Sequence, residues 1–173
     1  MSAARTAAYH VLRAVAGGDD LPRALARHRD SLVDARDRAL VTELASGTLR
    51  WQGALDYLIE HAAGRPTAKL EQDVLAVLRL STYQLRYLQR IPAAAATNDA
   101  VNLVRRLGKA SASGLVNAVL RRMTRNPITS VLPRHPGEPN GRDAQLDFLS
   151  VTCSHPRWLV ERWLHRVGLH DAI

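Results

Sequence analysis

Between Arg79 and Arg125 the chain carries nine cationic side chains, Arg79, Arg86, Arg90, Arg105, Arg106, Lys109, Arg121, Arg122 and Arg125, against one acid, Asp99. The whole 173-residue chain has a formal net charge of +8, and this stretch supplies all of it. Residues 1–78 balance ten bases with ten acids, and residues 126–173 balance five with five. Charge segregated in this way suits a polyanionic partner better than a high pI alone does. Arg outnumbers Lys eight to one in the stretch. A guanidinium fork grips phosphate oxygens in pairs and stacks on bases. Binding through such groups releases counterions, so affinity should fall steeply with salt. A single Arg near a helix C-terminus needs no partner, because it complements the dipole and stays solvated. Nine bases against one acid over residues 79–125 go beyond what such isolated arginines explain.

Other chemistry is thinly represented. The seven histidines (10, 28, 61, 135, 155, 165 and 170) are scattered, with no H-E-x-x-H and no Cys/His metal spacing. Neither glycine-rich nucleotide-binding fingerprint occurs. Cys153 is the single cysteine, which excludes a disulfide framework and fits a reducing, cytoplasmic setting. With no partner base identifiable, it reads as a structural or incidental thiol. No catalytic residue, cofactor-binding residue or metal ligand is therefore assigned. The N-terminal segment is interrupted by Arg5, His10 and Arg13, unlike a signal peptide, and no run of about 18 apolar residues suggests a membrane span.

The segments carrying the basic groups, and those around them, read as helices. Ala8, Val11, Leu12 and Val15 sit at helical spacing over residues 3–16, and Gly17-Gly18 ends that run. Asp19 and Asp20 can cap a second helix and Asp34 opens a third. Gly47 and Gly53 suggest a bend before Leu55, Leu58 and Ile59 continue in similar phase. Gly64-Arg65-Pro66 is a stop and restart. A long helix follows through Leu70, Val74, Val77, Leu78, Ser81 and Leu85, ending before Ile91-Pro92. The next runs from about Ala93 to Leu107, and the last strong one carries Val116, Val119, Leu120 and Met123. No sustained period-2 alternation predicts a strand. Three helices packed together would bring their basic ends or faces close to one another. Residues 126–143 hold four of the eight prolines and read as a linker. The segment 155–167 places Trp158, Leu159, Trp163 and Leu164 in helical register, an apolar face that must dock on the main domain or meet another partner.

Several segments together resemble the NusB family of RNA-binding helical domains: ARTAAYHVL (4–12), GTLRWQGALDYLI (47–59), LRLSTYQL (78–85), Ile91-Pro92, NDAV (98–101), Gly108 and GLVNAVLRR (114–122). The G-T-L-R-W and V-N-A-V-L-R-R forms are closer to the NusB-like N-terminal domain of ribosomal RNA cytosine 5-methyltransferases of the Sun (RsmB) type. SHPRWLVERW (154–163) is similar to the segment that follows that domain in those enzymes. The likeness covers about 4–125 and 154–166. Gln84, Asp99 and Leu115 stand where the family has Glu, Glu and Phe.

The resemblance implies an all-α, NusB-like helical bundle over 1–126, a Pro-rich linker at 127–153 and the start of a methyltransferase-associated region at 154–173. It implies RNA binding by Arg5, matching the arginine-bearing start of the family's first helix, together with the basic cluster. It implies that Asn98 and Asn117 are buried and hydrogen-bonded. The expected partner is ribosomal RNA, with a methyltransferase domain in cis or a ribosomal protein as further partners, and no membrane. S-adenosylmethionine belongs to the family's catalytic domain, whose two cysteine motifs Cys153 does not match. On that reading the chain is an RNA-binding front end, a fragment or truncated reading frame, without catalysis of its own. A stand-alone antitermination factor and a protein-binding scaffold using 155–167 are the alternatives.

Overall fold

The computed structural model describes residues 3–88, 91–125, 131–136, 141–169 and 172. Among these residues the regular structure is helical, without a strand. The first part is a bundle of α1 (Ala3–Ala16), α2 (Leu21–Arg29), α3 (Ala35–Arg50), α4 (Gln52–Ala63), α5 (Gln72–Tyr87), α6 (Ala93–Arg106) and α7 (Ser113–Arg125). Their ends follow local chemistry. The Asp20 carboxylate accepts the Arg23 N–H and that of Asp34 the Arg36 N–H, each satisfying a donor the helix leaves orphaned. Gly64, at φ 67°, closes α4 in the left-handed conformation that a side chain disfavours.

α5 is the central helix. It packs on α1, α3, α4, α6 and α7, and buries ten of its residues, from Val74 to Gln84. An amphipathic surface helix buries one stripe; this one is covered almost all round. The apolar stripe read on α7, Val116, Val119, Leu120 and Met123, is buried as expected. The break after α3 falls at Trp51, whose N–H still reaches the Gly47 carbonyl. Gly47 itself serves a different purpose: a Cβ there would lie 2.1 Å from Tyr83 Cζ, so the ring of α5 rests directly on the α3 backbone. The Tyr83 hydroxyl then donates to Glu43 at 2.5 Å, and burial together with that bond holds its pKa well above the usual phenol value.

Among the described residues beyond 130 the chain builds more structure than a linker. Leu132 joins the main core. The helix α8 (Arg142–Asp147) and a π turn (Phe148–Thr152) lie within the stretch 127–153 read as a linker, and α9 (Arg157–Arg166) follows it. The prolines that argued against helix end at Pro139, and Leu146 and Leu149 beyond them are buried against Val160 and Leu164. That pairing also corrects the face read on α9. Val160 and Leu164 point inward, Trp163 is half-buried, and Trp158 is 66% exposed.

Candidate functional site

The ten predicted RNA contacts separate by what already holds them. Arg5, with its side chain only 14% exposed, donates to Gln84 Oε1 at 2.6 Å and pairs with Asp99 at 3.3 Å. It fastens the start of α1 to α5 and α6. Gln84, 2% exposed, spends its amide on the Leu80 carbonyl. Arg79 makes a two-pronged bond to Asp56, both contacts at 2.7 Å. Such a fork is a strong charge-assisted pair that fixes α5 on α4. Lys109 pairs with Glu71. Arg86 folds over the Tyr87 ring at 5.1 Å, and Tyr87 in turn stacks on Trp51. Arg90 lies outside the described residues.

The remaining five, Arg105, Arg106, Arg121, Arg122 and Arg125, are exposed at the C-terminal ends of α6 and α7. Arg122 Nη1 stands 3.5 Å from the Ala62 carbonyl, the outer limit of a hydrogen bond, at an orphan acceptor of α4. The other four have no carboxylate partner among the described residues. They do not form one cluster, as the sequence suggested. α6 and α7 are joined by a short turn and pack antiparallel, so Arg105 and Arg106 sit at one end of the hairpin and Arg121, Arg122 and Arg125 at the other. At 1.5 Å per residue, those ends are about 20 Å apart.

Between the start of α6 and the end of α7 lies a groove of about 280 Å³ lined by Ala93, Ala94, Thr97, Asn98, Arg121 and Thr124. α6 begins after Pro92, which offers no capping side chain, so its first N–H groups stay orphaned. Ala93, Ala94 and Ala95 are exposed and small, leaving that end open to close approach. An uncapped helix start attracts anions through both its donors and its dipole, and Arg121 adds a full charge beside it. Asn98, expected to be buried, is exposed on this groove, while Asn117 is half-buried. The sequence signal for the groove was present in Pro92 followed by four alanines, read only as a helix start.

A second cleft, of about 240 Å³, lies among α1, α3, α4 and α5 and is lined by two arginines, Arg13 and Arg79, where the first has one. Both are held by carboxylates, Arg13 by Asp73 at 2.8 Å and Arg79 by Asp56. Tyr9 also donates to Asp73, and burial with that bond pushes its pKa up to about 12. This end is locked by internal charge pairs and is the poorer anion site.

Among the described residues the histidines give no metal centre. His10 and His28, distant in sequence, do stack with ring centroids 5.5 Å apart, but among the described residues no three His, Cys, Asp or Glu groups gather to hold an ion. Cys153 is half-buried, and burial raises its pKa, away from a reactive thiolate. Among the described residues no helix is long and apolar enough to cross a membrane.

An all-helical bundle with an unpaired basic hairpin is the class that fold and surface define. Residues 2–125 match the NusB family model, and the chain belongs to the NusB family. It is 34% identical over 137 residues to the probable ribosomal RNA small subunit methyltransferase B of Bacillus subtilis, covering 79% of this chain and 29% of that protein. It is 39% identical over 158 residues to the ribosomal RNA small subunit methyltransferase B of Pseudomonas putida, covering 90% and 33% respectively. A putative methyltransferase of Mycobacterium tuberculosis is 34% identical over 174 residues, covering 95% of this chain and 36% of its own length. The chain thus spans about a third of the length of these relatives.

Proposed function

We propose that this chain binds structured ribosomal RNA through the α6–α7 hairpin, as the recognition module of a cytosine 5-methyltransferase of the cytoplasm. Membership of the NusB family and relatives named as ribosomal RNA methyltransferases support an RNA-binding role. The observation that carries the choice of surface is the groove where the uncapped start of α6 meets Arg121. One phosphate fits there, against α6 N–H groups and the Arg121 guanidinium, with Asn98 able to donate or accept at the sugar or a base edge. Arg125, one turn beyond Arg121, and Arg105 and Arg106 across the hairpin extend the contact along a backbone. Arg5, Arg79 and Lys109 then act on the fold and not on the RNA. S-adenosylmethionine has no place in this reading of the chain, and the chemistry of methyl transfer is left to a methyltransferase domain acting with it.

A gel-shift titration against structured fragments of small-subunit ribosomal RNA tests the reading. Four phosphate contacts predict that affinity falls about a hundredfold between roughly 50 and 200 mM salt. Binding that ignores salt, or no binding at the lower salt, overturns it.

A further inference from the structure

α4 lacks a cap from its own sequence. Its N-cap position is Trp51, whose side chain makes no capping bond. The donor left at its third residue, the Ala54 N–H, is taken by the Ser154 hydroxyl at 2.8 Å, from a position 100 residues further along the chain. Ser154 holds φ at 61°, the one non-glycine residue in positive φ among those described, so its backbone is held in an unfavourable region to place that oxygen. The surface beneath is shaped for it. A Cβ on Gly53 would stand 3.0 Å from Ser154 Oγ and 3.1 Å from the Ser150 carbonyl. Nearby, Thr152 donates to the Pro133 carbonyl at 2.6 Å and Val151 packs on the main core.

Apart from those contacts, which all lie in the same short stretch, the unit that Ser154 belongs to depends on a small core of its own. Its core is four side chains, Leu146, Leu149, Val160 and Leu164. Segments shorter than about 40 residues rarely sustain a fold on so little buried surface. We infer that the start of α4 is a docking surface for the segment 150–154 and that Ser154 is the positioning residue that latches the α8–α9 unit to the NusB domain. The latch orders that unit and makes the two move as one body. Anything carried on α9, including the exposed Trp158, then keeps a fixed bearing relative to the helices of the bundle.

Amide-resolved hydrogen exchange on the full chain tests it. In Ser154→Ala, loss of the cap speeds exchange at Ala54 about fivefold. The amides of α8 and α9 lose protection together, while those of α1, α5 and α7 do not change. Gly53→Ala, a wedge from the other side of the joint, releases α8 and α9 in the same way and covers the case in which the first variant folds poorly. Faster exchange confined to Ala54 would reduce Ser154 to a simple helix cap and overturn the latch. Unchanged protection of α8 and α9 in Gly53→Ala would overturn it equally.

Discussion

α5, covered almost all round, and α7, buried on one face, both carry arginines, and they use them in opposite ways. α5 runs through the middle of the bundle, so Arg79 emerges into a narrow space and is met there by Asp56. Arg86 is pressed onto Tyr87, with its Nε and Nη1 buried and without hydrogen-bond partners among the described residues. α7 lies at the edge, burying five residues on one side and leaving Arg121, Arg122 and Arg125 in solvent. The same residue type therefore acts as a structural staple in one helix and as free charge in the other. What decides is how many neighbouring helices surround the position. A run of basic residues in sequence is not a surface until the packing shows which members still lack a counter-charge.

The sharpest break of this contrast is in stability. Arg79→Ala strands a half-buried Asp56 and should lower unfolding free energy by about 2–3 kcal/mol in urea melts. Arg121→Ala should stay within about 0.5 kcal/mol of the parent. Equal effects would dissolve the distinction. RNA binding should show the reverse ranking. Arg121→Ala with Arg125→Ala should weaken binding by about tenfold and reduce the salt slope by about two, since two phosphate contacts are lost. An unchanged slope would remove α7 from the interface.

Two smaller effects sharpen the picture of the locked side. Tyr83→Phe removes the bond to Glu43 and should cost about 1 kcal/mol, read from the same melts. Around His28, burial pushes the imidazole pKa below its usual value, and the neighbouring His10 and Arg27 push it the same way. The folded state then binds the proton less tightly than the unfolded chain. Its contribution to stability is complete above the usual value of 6.5 and is lost as pH falls through the lower, folded value. His28→Gln should accordingly flatten the drop in stability between about pH 7 and pH 5, and a drop of the same size would exclude His28 as its source.

The helices were legible in the sequence because they are written in local terms: apolar spacing, Asp20 and Asp34 as caps, Gly64 and Gly108 as stops. The family resemblance was legible for a related reason. Two of its motif residues, Gly47 and Tyr83, are constrained by direct contact with one another. What sequence could not show was pairing across the bundle. Arg5 against Gln84 and Asp99, or Arg79 against Asp56, depends on helix rotation that spacing alone leaves open. The antiparallel course of α6 and α7, which divides the basic groups between two ends, is likewise a matter of chain direction and not of composition. The burial of Asn98 is not set by sequence pattern, because an amide serves equally well buried or exposed; in the fold it is exposed on the groove it shares with Arg121 and Thr124.

The contact of Tyr83 with Gly47 has a consequence for how this chain can change. With a Cβ position only 2.1 Å from the ring, Gly47 has no substitute while Tyr83 stays. Tyr83 in turn cannot shrink without opening a void over a bare stretch of helix backbone. Single steps at either position lead downhill, so across descendants of this chain the two sites are expected to be retained together or exchanged together.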